Sequence, residues 1–289
     1  MLNLTSPAAV RALLLERGIK PKKRLGQNFL VNPGVLEKTV TAAGLSPGDT
    51  VVEIGPGVGA LTARLAETAG KVIAVEVDRR LVALLQDTLS GYPNVFLEEA
   101  DALQTDFDGL VAEAGGAFPY KVVANLPYYV TTPLLIRLLQ SGFRIKLMVL
   151  TVQREVALRL VARPGTKEYG ALSVFVQYKT KPDLVGVVSR GSFYPVPAVD
   201  SAIVRLAVRS DPAVIVPDDQ LLFRIVRASF AKRRKTLLNA LAGSSLGLDR
   251  ETWRLILVRA GIDPQRRGET LTLEEFAAVA RLLVLQQRE

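Results

Sequence analysis

A rhythm constrains this sequence more than any other feature. Short apolar runs rich in β-branched residues alternate with stretches in which apolar residues recur every three or four positions. The runs are TVVEIG (50–55), KVIAVEV (71–77), NVFLEEA (94–100), YKVVANL (120–126) and KLMVLTVQ (146–153). Between them stand stretches such as ALTARLAETAG (60–70) and RRLVALLQDTL (79–89). Near-continuous apolar runs suit strands covered on both faces, and their alternation with helices specifies a mostly parallel, doubly wound α/β sheet. ALSVFVQYKT (171–180) and SAIVRLAVR (201–209) follow without a clear helix between them and are expected as a closing antiparallel pair. After residue 210 the pattern changes. DPAVIVPDDQ reads as a linker, and LLFRIVRASFAKRRKTLLNAL, DRETWRLILVRAG and TLEEFAAVARLLVLQQ read as helices with polar caps and glycine stops. The expectation is a Rossmann-like α/β domain over 1–209 and a small all-helical domain over 210–289.

The chain has no cysteine and no histidine. Disulfides, thiolate chemistry, imidazole acid–base catalysis and His/Cys metal sites are therefore excluded, and no metal site is expected. Net charge is +9 and the pI about 9.8, the footprint of a nucleic-acid binder. Residues 1–24 carry Arg11, Arg17, Lys20, Lys22, Lys23 and Arg24 against one acid, Glu16. A second basic run, Lys232-Arg233-Arg234-Lys235, falls in the first helical stretch of the second domain. No uncharged apolar run is long enough to span a bilayer, and the first twenty residues lack the features of a signal peptide. A cytoplasmic monomer is expected.

Chemistry enters at strand ends. Glu53-Ile54-Gly55-Pro56-Gly57-Val58-Gly59-Ala60 follows the first run and opens a helix. Glycines there let the backbone turn tightly and approach a ligand, and Glu76, about 20 residues on, stands where a ribose hydroxyl would be bound. This much indicates an adenosine-bearing ligand and leaves NAD and S-adenosylmethionine both open. Asp101, just past the third run, can accept a hydrogen bond from an adenine amino group or cap a following turn.

The fourth run ends in Asn125-Leu126-Pro127-Tyr128. An asparagine carbonyl is an acceptor, Pro127 restricts Leu126 to an extended conformation, and Tyr128 offers a face for stacking. Two acceptors beside an aromatic face suit methylation of an adenine N6. With both its hydrogens held, that weak nucleophile can attack a sulfonium methyl in line, and no histidine base is needed.

With these residues in view, the chain resembles the small-subunit ribosomal RNA adenine dimethyltransferases, the kasugamycin-sensitivity family, from about residue 20 to 280. The resemblance rests on KKRLGQNFL (22–30), EIGPGVGALT (53–62), Glu76, Asp101, NLPYYVTTP (125–133), VQREVALRLVARPGTKEYGALSV (152–174), FYPVPAVDSA (193–202) and FAKRRKTLLNAL (230–241). It implies a class I methyltransferase sheet and S-adenosylmethionine as cofactor. It also implies dimethylation of two adjacent adenosines near the 3′ end of small-subunit rRNA, with the immature subunit as partner. Gln27, Asn28 and Leu30 would then close over the methionine part, Gly55 and Gly57 line the turn, Glu76 hold the ribose and Asp101 the adenine. Asn125 through Tyr128 would bind the target base, and Phe193, expected to be exposed, would stack on its other face. Lys22, Lys23, Arg24 and the run 232–235 would meet RNA. One departure is Ala100, where many relatives have glycine.

Four rivals compete with this reading, and one of them, a DNA adenine methyltransferase, would usually carry a D-P-P-Y-type set at this strand end. A large-subunit rRNA adenine methyltransferase of the antibiotic-resistance type would share the N-terminal motifs but not FYPVPAVDSA and FAKRRKTL. A non-catalytic ribosome assembly factor would not need Asn125, Pro127 and Tyr128. An NAD oxidoreductase would need a hydride-transfer partner that this chain does not supply.

Overall fold

The computed structural model describes residues 4–22, 25–232 and 234–286. In chain order its elements are α1 (Pro7–Glu16), β1 (Phe29–Leu30), α2 (Pro33–Ala43), β2 (Thr50–Ile54), α3 (Ala60–Ala66), β3 (Lys71–Glu76), α4 (Arg79–Thr88) and β4 (Val95–Glu99). Then come α5 (Phe107–Glu113), β5 (Tyr120–Asn125), α6 (Thr131–Gln140), β6 (Ile145–Gln153), α7 (Arg154–Val161), α8 (Ala171–Lys179), β7 (Thr180–Val188), β8 (Phe193–Tyr194) and β9 (Ser201–Val208). The chain closes with α9 (Asp219–Phe230), α10 (Leu237–Ala242), α11 (Arg250–Arg259) and α12 (Leu273–Gln286).

Two compact units result: Met1–Ala157 with Asp183–Val208, and Leu158–Pro182 with Arg209–Glu289. The boundary expected at 209/210 is thus one of three crossings, and residues 158–182 belong with the helices. The cause is burial. Tyr169, Val174 and Tyr178 pack into the core of the second unit with Leu222, Ile225, Trp253 and Phe276, a contact set that no local pattern announces.

In the first unit the large sheet has the order β4-β3-β2-β5-β6-β9-β7. The pairs β4–β3, β3–β2, β2–β5 and β5–β6 are parallel, and β9 runs antiparallel to β6. All five residues of β2 are buried, as the unbroken apolar run requires of a central strand. Two of the helices start where short polar side chains cap them. Asn32 accepts from the amides of Gly34 and Val35, with Pro33 at the first position of α2, and Asp78 accepts from Arg80 at the start of α4. The order reverses between β2 and β5, so the carboxyl ends of these strands frame the crevice where such sheets bind ligands.

Two expectations are corrected here. Residues 171–179 form helix α8, and β9 lies between β6, to which it is antiparallel, and β7. The β-branched run loses to tertiary packing: Val174, Phe175, Val176 and Tyr178 are buried in the helical conformation. Of the basic run, Lys232, Arg234 and Lys235 lie in the connection between α9 and α10 rather than within a helix. Thr236 caps α10 through its hydroxyl, which accepts from the Asn239 amide, and so breaks the apparent long helix in two.

Ser173 tests the helix. It is fully buried, its hydroxyl accepts from the Gly170 amide at 3.1 Å, and it donates to the Arg159 carbonyl at 2.6 Å. Ser173→Ala removes the cap and the bond to the Arg159 carbonyl, so urea unfolding should show a loss of about 1–3 kcal/mol.

Candidate active site

Strand register brings the site together. Ile54 pairs with both Val75 and Ala124, so the next residues, Gly55, Glu76 and Asn125, emerge at one level of the carboxyl edge. Glu76 pairs with Glu99 on β4, and Asp101 follows two residues later. These ends line a cleft of about 1050 Å3, counting its open mouth. Gln27, Asn28, Leu30, Gly55, Gly57, Glu76, Asp101, Asn125, Leu126, Pro127, Tyr128 and Phe193, the candidates for the cofactor and the target base, all line it.

The glycine turn is shaped for a ligand on one side and for packing on the other. Gly55 has φ +72°, and a Cβ there would meet nothing within 4 Å. Gly57 has φ +62°, and a Cβ there would stand 2.8 Å from the Phe29 ring. Glu76 is buried and pre-aimed. Its Oε1 accepts from the amides of Val77 and Asp78, both at 2.9 Å, and its Oε2 from Gly57 at 3.4 Å. Burial raises its pKa against the pull of these three donors. Asp101 is exposed and accepts from the Leu103 amide at 2.9 Å, so it also caps a turn.

A strap crosses the cleft from the N-terminal side. β1 pairs antiparallel with β8, matching Leu30 to Phe193 and Phe29 to Tyr194, and the Val31 amide donates to the Ser192 carbonyl at 2.9 Å. The Asn125 Nδ2 donates to the Asn28 carbonyl at 2.9 Å. That bond fixes the amide rotation and leaves Oδ1 as the end offered to a ligand. Tyr128 is half-buried and its hydroxyl bonds Ser201 Oγ at 2.9 Å, while Leu126 is buried. The Pro127 carbonyl takes bonds from the Val130 amide and the Thr131 hydroxyl, which closes the turn into α6. Phe193 differs from the exposed ring expected. It is 2% exposed and packs in the core, because β8 turns it inward against β1 as one wall of the cleft.

Three side chains escaped sequence reading. Glu53 is 1% exposed on β2, and among the described residues its Oε2 has no hydrogen-bond partner. It lines the cleft, and its place in a glycine-turn motif was the only signal available. Asp78 is buried and its Oδ2 collects Lys22 Nζ at 2.9 Å, Gln27 Nε2 at 3.1 Å and Arg80 Nη2 at 3.4 Å. In sequence it reads only as a helix cap. Ser201, the first residue of β9, anchors Tyr128 across 73 positions of sequence, for which no local pattern exists.

The expected RNA contacts fare unevenly. Lys22 is engaged by Asp78, so it latches the strap instead of standing free. Lys23, Arg24 and Arg233 lie outside the described residues, and Lys232, Arg234 and Lys235 belong to the second unit. The described residues hold no cluster of three or more metal-ligating groups.

The profile of the family described as ribosomal RNA adenine dimethylase matches residues 18–283. The chain belongs to the ribosomal RNA adenine dimethylases. It is 57% identical to a ribosomal RNA small subunit methyltransferase A of Pelotomaculum thermopropionicum, over 97% of both chains. It is 54% identical to the protein of the same name from Moorella thermoacetica, over 97% of this chain and 99% of the other. Among solved structures, a dimethyladenosine transferase from Plasmodium falciparum superposes with a TM-score of 0.74 at 28% identity, covering 89% of this chain and 97% of that one. The 23S rRNA methyltransferase ErmE superposes with a TM-score of 0.70 at 27% identity, covering 89% and 100%. The enzyme is therefore an rRNA adenine dimethyltransferase on a class I methyltransferase sheet, not an oxidoreductase.

Two outcomes follow from the charges in this cleft. Burial pushes the Glu53 carboxyl up to about 8, the nearby Thr62 hydroxyl pulls it down and the charge of Glu76 adds to the rise. The unfolded chain releases this proton near the ordinary glutamate value of 4.5, so the cost of Glu53 grows as pH rises through that value and is complete above about 8. Glu53→Gln in the ligand-free enzyme should therefore gain stability over wild type, little at about pH 5 and a few kcal/mol at about pH 9, measured by thermal unfolding. Burial opposes ionisation of Asp78, yet Arg80, Lys22 and Gln27 hold its carboxyl well below the usual range. Asp78→Asn keeps a capping side chain but loosens Gln27 and Lys22. Calorimetric titration should show cofactor affinity falling about tenfold, with a much smaller change in melting temperature.

Proposed function

We propose that the enzyme transfers methyl groups from S-adenosylmethionine to N6 of two adjacent adenosines near the 3′ end of small-subunit rRNA, two per nitrogen. The reaction belongs to maturation of the small subunit, acts in the cytoplasm and is carried out by a monomer. Among the described residues no helix is long and apolar enough to cross a membrane.

The residues fit the donor. Gly55 leaves open space beside the turn, Glu76 presents a fixed carboxylate for the ribose, and Asp101 stands at the next strand end for the adenine amino group. Gln27, Asn28 and Leu30 on the strap would cover the methionine end. S-adenosylmethionine supplies an electrophilic methyl group on a sulfonium sulfur.

The observation that carries the reading is the amide of Asn125. One hydrogen of its NH2 goes to the Asn28 carbonyl, which leaves Oδ1 as the acceptor on offer at the mouth of β5. An adenine amino group placed there donates one hydrogen to Oδ1 and the other to the Leu126 carbonyl, whose direction Pro127 restricts. Holding both hydrogens weakens conjugation of N6 with the ring and frees its lone pair for in-line attack. Positioning and local electrostatics then supply the catalysis. Burial raises the Tyr128 pKa while Ser201 lowers it, so the phenol is neutral at physiological pH and serves as a stacking face, not a base. Phe193 gives the site a rigid aromatic wall. The proton leaves N6 after attack, which agrees with a chain that has no histidine.

The likeness to ErmE supports a second reading, transfer to large-subunit RNA. The names of the relatives above 50% identity and the segments FYPVPAVDSA and FAKRRKTL support the small subunit instead.

Methyl transfer from tritiated S-adenosylmethionine to small subunits lacking dimethyladenosine tests this. Wild type should yield N6,N6-dimethyladenosine near the 3′ end, and Asn125→Ala should lower the rate about 10²–10³-fold. Label confined to large-subunit RNA would overturn the small-subunit assignment.

A further inference from the structure

A second cleft opens on the same edge of the sheet, at the end of β6. It measures about 800 Å3 with its mouth and is lined by Gln153, Arg154, Glu155, Arg190, Val199 and Asp200, among others. Arg154 and Arg190 are both exposed, and neither guanidinium is paired among the described residues. Both are nonetheless firmly rooted. The Arg154 amide donates to the Asp200 carbonyl at 3.0 Å, and the Arg190 amide to Asp200 Oδ1 at 2.9 Å.

The next residue, Ser201, bonds the hydroxyl of Tyr128 and pairs with Gln153 in the β6–β9 ladder. One dipeptide, Asp200-Ser201, therefore ties the backbones that carry these two guanidinium groups to the proposed stacking face for the target base. The order along the edge points the same way. The residues proposed for the donor stand at β4, β3 and β2, those for the target base at β5, and the arginines at β6.

A base that reaches the end of β5 must leave its stack, and its backbone must then run on past a neighbouring strand end. We propose that Arg154 and Arg190 form a subsite for the RNA backbone phosphate next to the target adenosine. A guanidinium fork matches a phosphate bidentately and stays charged at any working pH. Glu155 and Asp200 balance the charge of the cleft, so it does not gather anions generally; it selects a phosphate that arrives attached to a base already seated at Tyr128. Exposed Val199, with Ala198, leaves an apolar shoulder in it for the sugar or a neighbouring base.

This subsite rests on the function proposed above, and the test separates the two. Wild type and Arg154→Gln/Arg190→Gln are compared in methyl transfer to small subunits lacking dimethyladenosine, across a range of salt. Arg144→Gln, at the amino end of the same strand, is the control. The double variant should raise KM for the subunit about tenfold and flatten the salt dependence of log KM by about 0.7, the share of the one phosphate charge that the arginines no longer neutralise. Its affinity for S-adenosylmethionine and its melting temperature should stay at wild-type values. If wild type methylates the subunits and the double variant matches it and the control in both KM and slope, the subsite is wrong while the function stands. If wild type methylates no subunit RNA, the function falls and the subsite with it.

Discussion

Parallel register at the carboxyl edge is the constraint on which everything else depends. Ile54 is flanked by Val75 and Ala124, and each of these apolar residues is followed at once by the residue that meets the cleft: Gly55, Glu76 and Asn125. A slip of one residue in any of these strands would turn the buried β-branched face outward and withdraw its polar end from the site. The core that fixes the register and the alignment of the site are therefore one requirement. It is met by the buried valines and isoleucines of the strands.

Alignment alone would leave the polar ends free to rotate, and a second layer of bonds removes that freedom. The Asn28 carbonyl sets the rotation of the Asn125 amide, Ser201 holds the Tyr128 hydroxyl, and Asp78 holds Gln27 and Lys22. Each partner arrives from a distant part of the chain: the strap, β9 or the turn into α4. β8 completes the arrangement by pairing with the strap and turning Phe193 inward. The cleft is thus held open by polar pins around a rigid apolar frame, which suits a reaction driven by position rather than by an acid–base side chain.

The architecture was legible in the sequence because both of its signals are local. Five apolar runs became five strands within a residue or so of the expected ends, and two helices, α2 before the first of them and α4 between the second and third, begin at caps visible as Asn32 and Asp78. Legibility failed where a long-range contact outvoted a local preference. The run 171–180 has the composition of a strand, yet Tyr169, Val174 and Tyr178 gain a helical core by folding as α8. Lys22 looks like one more cation in a basic run, yet it is committed to Asp78, 56 positions away. Phe193 looks exposed between polar and proline neighbours, yet a two-residue strand buries it.

By itself the sequence determined the parallel α/β class, the absence of histidine and cysteine chemistry, the adenosine-type turn and the N-L-P-Y strand end. These properties belong to residue types and their spacing, and spacing along one strand or turn maps directly onto geometry. Only the tertiary structure decided which unit residues 158–182 join, which end of the Asn125 amide faces the cleft, and that Glu53 is buried beside Glu76 with an oxygen unpartnered among the described residues. It also decided that Arg154 and Arg190 meet on one dipeptide. Those facts depend on which distant segments come into contact. Such contacts are set by the packing of the whole core, and a hydrogen bond across 73 or 97 positions leaves no periodic trace in either segment.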